Sequence, residues 1–150
     1  MVKKGFTLVE LLVTISIIAI LVTVSIFGLT GARELSRDSR RKSDLELIKA
    51  GLELYRADCN AYPLTLPASG SSLVGTYPGS GLATCLATNS YISVIPGDPS
   101  GASKIYKYST VSNGYELCTS LEQQGLSSVT CGGSSDCGNG ATCNYKITNP

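Results

Sequence analysis

The sequence predicts an α+β fold. A long N-terminal helix spans a membrane with its first half and packs through its second half on a small antiparallel sheet, stapled by disulfides. Three observations carry this prediction. Residues 8–29 form a run of 22 residues with one ionisable side chain, Glu10. Leu45, Ile48, Leu52 and Tyr55 then recur at i, i+3, i+7 and i+10, the spacing of one helical face. Finally, the stretch 105–122 reads as two strands about an Asn-Gly turn, and six cysteines follow the apolar run.

The apolar run comes first. At 1.5 Å per residue it makes a helix of about 33 Å, enough to cross a hydrocarbon core of about 30 Å. Glu10 stands three residues into it, where an unpaired charge costs on the order of 3 kcal/mol even on mild insertion scales. Ahead of it lies a short basic leader, Met-Val-Lys-Lys-Gly. A secretory signal peptide is cut after an apolar region of about 7–15 residues. The run here is longer, although Thr30-x-Ala32 offers a small-residue site. A cut after Gly5 instead keeps the whole helix and creates a new amine on Phe6. Phe6 and Glu10 are four residues apart, so a helix places that ammonium and the carboxylate on one face. The pair closes either within one chain or between neighbouring chains. In the second case it sets register, because any slipped packing leaves the charge unpaired.

Lys-Gly-Phe-Thr-Leu-Val-Glu-Leu-Leu, residues 4–12, resembles the N-terminal motif of type IV pilins and pseudopilins. The resemblance is close over about 25 residues and looser as far as Tyr62-Pro63. It implies cleavage between Gly5 and Phe6 by a prepilin peptidase, N-methylation of Phe6, and packing of the apolar helices into a filament core. Glu10 matches the family glutamate in identity and offset. The chain then divides into a removable leader (1–5), an apolar transmembrane and assembly helix (6–31), its amphipathic continuation (32–59) and a head (60–150). The implied partners are copies of the chain or other pilins, the processing enzyme and the membrane. A membrane-tethered, disulfide-rich binding domain that never polymerises is the alternative.

Gly28 and Gly31 bracket the end of the apolar face, each costing about 1 kcal/mol relative to Ala in a helix. They read either as points where the helix bends on assembly or as small residues at a packed crossing. Residues 33–44 are rich in charge, and Asp38–Lys42, Arg40–Asp44 and Lys42–Glu46 are i, i+4 pairs on what reads as a solvated face, with inter-subunit salt bridges as the alternative. Two basic residues precede the apolar run and five follow it closely. Counted naively, this puts the head in the cytoplasm. The cysteines point to the oxidising side, and the resemblance agrees.

Asn60-Ala61-Tyr62-Pro63 ends the helix, since a residue before proline avoids the α region. Residues 64–81 read as a loop, and 82–92 as a short helix carrying Cys85, a plausible partner for Cys59. A turn occupies 95–101, and residues 105–111 and 115–122 form a hairpin about Ser112-Asn113-Gly114. On its second strand Tyr115, Leu117, Thr119 and Leu121 alternate with Glu116, Cys118, Ser120 and Glu122, which predicts one buried face. Residues 143–148 supply a third strand.

An even set of cysteines (Cys59, Cys85, Cys118, Cys131, Cys137 and Cys143) in a small, loop-rich domain reads as three disulfides with 15 connectivities. Metal ligation fits less well, because the last three are spaced C-x5-C-x5-C and the chain has no histidine. Asp136 and Asn139 among glycines suggest the calcium loop that some pseudopilins possess, yet one carboxylate is too few oxygen ligands. No other cofactor is expected. No basic face for nucleic acid stands out, and no constellation for nucleophilic or acid–base catalysis is present, so the chain reads as a structural protein.

Overall fold

The computed structural model describes residues 5–75, 85–101, 104–112, 114–123, 125 and 127–149, with backbone alone at 27 and 28. Leader residues 1–4, residues 76–84 with the start of the expected short helix, and Asn113 of the expected turn lie outside them. The chain forms two compact units, Met1–Ser36 and Arg37–Pro150.

Helix α1, Leu8–Cys59, runs unbroken through Gly28 and Gly31. In the first unit every described side chain from 8 to 26 is exposed. Thr14, Ser16, Thr23 and Ser25 turn their hydroxyls back onto carbonyls of the preceding turn at 2.7–2.8 Å. The apolar helix therefore presents satisfied hydroxyls and hydrocarbon to its surroundings. α1 is long and apolar enough to cross a membrane. It stops because Asn60 adopts φ 54° and donates its N–H to Arg56 O at 2.8 Å. Asn tolerates this left-handed C′ position, so the cap ends the helix before Pro63 can act.

In the second unit the stripe Leu45, Ile48, Leu52, Tyr55 and Cys59 is buried, meeting Leu73, Ile92, Ile95, Tyr115 and Leu117 in one core. Each Leu or Ile so buried contributes about 1.5–3 kcal/mol. Strands β1 (Leu73–Val74) and β2 (Ser90–Ile92) pair antiparallel. β3 (Lys107–Val111), β4 (Gly114–Thr119) and β5 (Tyr145–Thr148) form a second antiparallel sheet in the order β3-β4-β5. Lys107 lies opposite Cys118 and Val111 opposite Gly114, so the hairpin turns over two residues.

Two expectations fail here. Residues 90–92, assigned to a short helix, are strand β2, and the supposed loop 64–81 contains its partner β1. Gly51 explains the close docking of β2 on the helix: a Cβ built there would lie 2.2 Å from Ile92 Cγ1. Glycine is thus required where strand and helix backbones approach. The second failure concerns β4, whose Cys118 and Thr119 are both buried although they point to opposite faces, as is Ser120 just beyond it. Cys118 joins Cys131, Cys137 and Cys143 in a second core on the far side from α1's stripe. The segment 131–143 folds over that face, fastened by the Cys118–Cys131 and Cys137–Cys143 disulfides. A third bond, Cys59–Cys85, ties the end of α1 to the segment leading into β2. Small polar residues bury little hydrocarbon, so cross-links rather than apolar contact hold this cover.

Candidate functional site

Two constellations carry the chemistry of the chain, one at the start of α1 and one in the head. At the start, Thr7 immediately precedes the helix and Glu10 is its third residue. Thr7 N–H and Thr7 Oγ1–H donate to Glu10 Oε2 at 2.9 and 2.7 Å, and Glu10 N–H returns a bond to Thr7 Oγ1 at 3.3 Å. This reciprocal arrangement is a capping box, which satisfies N–H groups that a helix start leaves orphaned. It also corrects the geometry expected for Phe6. Phe6 lies before the cap, outside the helix and 80% exposed, so it is not one helical turn below Glu10. The Phe6 nitrogen is an amide here, and the carboxylate is satisfied by Thr7 instead.

A testable consequence follows for Thr7. Thr7→Val keeps the shape and removes the hydroxyl, and should cost about 1 kcal/mol of local helix stability. Amide hydrogen exchange over residues 8–11 in detergent micelles should speed up about fivefold; unchanged exchange would dismiss the cap.

In the head, the charged stretch expected to be solvated is partly buried. Arg41 has no exposed side-chain surface. Its Nε and Nη2 donate to Asp98 Oδ2 and Oδ1 at 2.7 and 2.9 Å, a bidentate fork. Nη1 donates to Asp38 Oδ1 at 2.7 Å and to Glu122 Oε1 at 2.8 Å. Arg37 Nε bonds Glu122 at 2.8 Å, and its Nη2 pairs with the same carboxylate. The Asp38 carboxylate also accepts the N–H groups of Glu122 and Gln123 at 2.9–3.0 Å. Two cations therefore meet three carboxylates, and the cluster joins α1 to the 95–101 turn and to the end of the hairpin.

Of the expected i, i+4 pairs, only Arg40–Asp44 forms among the described residues, at 4.0 Å. Asp38 turns to Arg41 at i+3, and Lys42 lies over the Tyr145 ring, 5.4 Å from its centroid. The signal for this was present. Asp38 and Arg41 continue the 3–4 spacing of Leu45, Ile48, Leu52, Tyr55 and Cys59, on the buried face. Hydrogen bonds from Arg37, and then Arg41, hold the Glu122 carboxyl down at about 2. Burial alone would raise Asp98, but bonds from Arg41 and Ser100 outweigh it and hold it below the usual range.

Farther along, other α1 carboxylates accept tyrosine hydroxyls. Asp44 takes Tyr106 at 2.7 Å, Glu53 takes Tyr62 and Tyr115 at 3.0–3.1 Å, and Asp58 takes Tyr91 at 3.0 Å. Burial, reinforced by these neighbouring carboxylates, pushes Tyr106 and Tyr115 well above their ordinary value. These hydroxyls are donors, not latent bases. At the far loop, Asp136 Oδ1 accepts Gly138 N–H at 2.9 Å. Among the described residues no group of His, Cys, Asp or Glu side chains is placed to hold a metal ion.

Residues 1–26 match the model of the prokaryotic N-terminal methylation motif. The chain is 32% identical over 99 residues to the type II secretion system core protein G of Escherichia coli, covering 66% of this chain and 68% of that protein. The core protein G of Klebsiella pneumoniae is 30% identical over 100 residues, with 67% and 71% covered. The type IV wide pilus major component PilA4 of Thermus thermophilus is 44% identical over 59 residues, or 39% of this chain and 45% of that one. No solved structure matches the chain.

Proposed function

The chain belongs to the type IV pilin and pseudopilin family, whose members are structural subunits of pili and pseudopili, and from that premise we propose that it polymerises through α1 into a pseudopilus-like filament. The observation that carries this reading is the exposure of α1. Every described side chain from 8 to 26 is exposed and most are apolar, so the helix is uncovered until lipid or other helices surround it. Lipid serves as storage and neighbouring helices as the final solvent, which makes assembly an exchange between two apolar environments. The segment is 22 residues with one carboxylate, so that carboxylate decides which packing is satisfied.

In this mechanism cleavage after Gly5 frees the Phe6 nitrogen as an amine, which is then methylated. Glu10 leaves the Thr7 cap of the free subunit, in whole or part, for the Phe6 ammonium of a neighbour. A pair buried in low dielectric tolerates no slip, so it fixes axial register. Gly28 and Gly31 mark where the helix yields as it leaves lipid. The head lies outside the cytoplasm, where its disulfides persist. Arg37 and Arg41, two of the five basic residues after the span, support this orientation, because carboxylates of the folded head neutralise them. The role is structural rather than enzymatic. The several core protein G relatives favour a secretion pseudopilus, and the PilA4 relative supports a surface pilus as second reading.

Intact-mass analysis of the membrane-extracted protein tests the proposal. The expected mature chain begins at Phe6 and carries one methyl group on its nitrogen. A chain retaining Met1, or one starting near Arg33, would overturn it in favour of a tethered or secreted domain.

A further inference from the structure

A groove of about 670 Å³ runs beside β3, lined chiefly by Leu64, Leu66, Ile95, Ile105, Tyr106 and Tyr108. Three of its polar side chains are engaged from the protein side. Tyr106 Oη–H donates to Asp44 at 2.7 Å, Tyr108 Oη–H donates to Pro63 O at 2.6 Å, and Asp98 in its wall is held by Arg41. The groove therefore offers chiefly ring and aliphatic carbon, with Thr65 and Ser69 also in its lining.

Beside it, β3 is the outer strand of its sheet. β4 occupies one edge; on the approach to the strand Ile105 N–H donates to Cys137 O at 2.9 Å, and from Lys107 to Val111 no backbone hydrogen bond among the described residues joins the other edge to any segment. Two lysines stand at its start. Lys104 Nζ reaches Ser120 O at 3.3 Å, and Lys107 Nζ reaches Asp136 O and Ser134 O at 3.2 and 3.5 Å. Neither ammonium has a carboxylate within 4.0 Å among the described residues. Lys146, on the opposite edge strand β5, is by contrast paired with Glu116 at 2.8 Å. Strand alternation puts Lys107 on the face opposite Tyr106 and Tyr108.

We infer that β3 and its groove receive an extended acidic peptide from a partner protein, added as a fourth strand beyond β3. Main-chain hydrogen bonds to the open edge give the affinity, and alternate side chains give the specificity. Apolar residues of the peptide enter the groove, and the intervening carboxylates meet the Lys107 ammonium at the margin of the 131–143 cover, against Ser134 and Asp136, with Lys104 taking another at the groove's end. Edge lysines also deter unwanted pairing, so this edge selects acidic strands over others. The inference goes beyond the filament reading and does not depend on it.

The test is a titration of the isotope-labelled mature chain in detergent micelles with acetyl-Val-Glu-Val-Glu-Val-amide. Amide shifts should centre on β3 and the groove, and binding should weaken with salt. Lys104→Gln and Lys107→Gln should each weaken it about two- to fivefold, the range for exposed ion pairs, while leaving the rest of the head spectrum unchanged. Absence of β3 shifts would overturn the inference. So would equal binding of acetyl-Val-Lys-Val-Lys-Val-amide. The same β3 shifts on concentrating the protein without peptide would assign the edge to a second copy and overturn it too.

Discussion

Replacing Arg41 by Met should lower the melting temperature of the head by about 10–20 °C, the equivalent of about 3–5 kcal/mol in a domain of this size. Met keeps an unbranched apolar stem and suits a buried site, so the loss is chiefly that of the guanidinium with its charge and hydrogen bonds. Asp98, Asp38 and Glu122 would remain in place without the cation that joins them, and uncompensated buried carboxylates are far costlier than absent ones. Arg41→Lys should lose less, because it keeps the charge but not the two-pronged contact with Asp98. Arg41→Met combined with Asp98→Leu should recover part of the loss, since the two residues act as one unit. Thermal unfolding of the full chain in micelles measures all three. A single mutant melting within a degree of the parent would show that the cluster is dispensable.

The same cluster sets a pH dependence whose sign can be worked out. Glu122 is held at about 2 in the folded head, and an unfolded glutamate titrates near 4.3, so the unfolded chain binds protons first as pH falls. Its stabilisation is complete above the unfolded value and disappears as pH drops through about 2. Asp98, shifted in the same direction, adds to it. The parent head should therefore lose melting temperature steadily between about pH 4.5 and pH 2. In Arg41→Met the slope should flatten or reverse, because a buried carboxylate without its cation prefers to be protonated.

The second large effect is on assembly. Glu10→Ala should leave membrane insertion intact, since it removes a residue costing on the order of 3 kcal/mol from the span. Filament yield should nevertheless fall by about tenfold or more, as expected when one member of a desolvated pair worth about 2–5 kcal/mol is removed. The capping box supplies the discriminating variant. Glutamine at the third helical position also completes such a box, so Glu10→Gln keeps the cap and discards the charge. Polymer recovered by shearing and compared with the membrane pool reads the result. If Glu10→Gln assembles like the parent, the cap matters and the charge pairing with Phe6 fails. If both variants are depleted, the pairing stands.

Much of the architecture was legible along the chain because helices and strands announce themselves by period. The apolar run, the stripe from Leu45 to Tyr55, the hairpin between residues 105 and 122 and the third strand near 145 all follow from residue spacing. Short strands do not announce themselves. β1 has two residues and β2 three, too few for a period to develop, and they exist because Gly51 admits Ile92 against the helix. At the helix start the Thr-x-x-Glu spacing encodes the capping box that holds Glu10 to Thr7, a contact set by local sequence alone.

The sequence by itself determined the long apolar helix with its single carboxylate, the buried stripe that continues it, and the antiparallel head, because each depends on local spacing. Tertiary structure alone decided what meets at a distance. It brought Asp98 and Glu122, 57 and 81 residues away, onto Arg41, and chose one disulfide pairing of 15. It also covered the second face of β4 with a loop too polar to form a core unaided. Charges on a helix read as solvated until another element removes the water. That removal depends on which segments pack together, and residue spacing along one segment does not encode it.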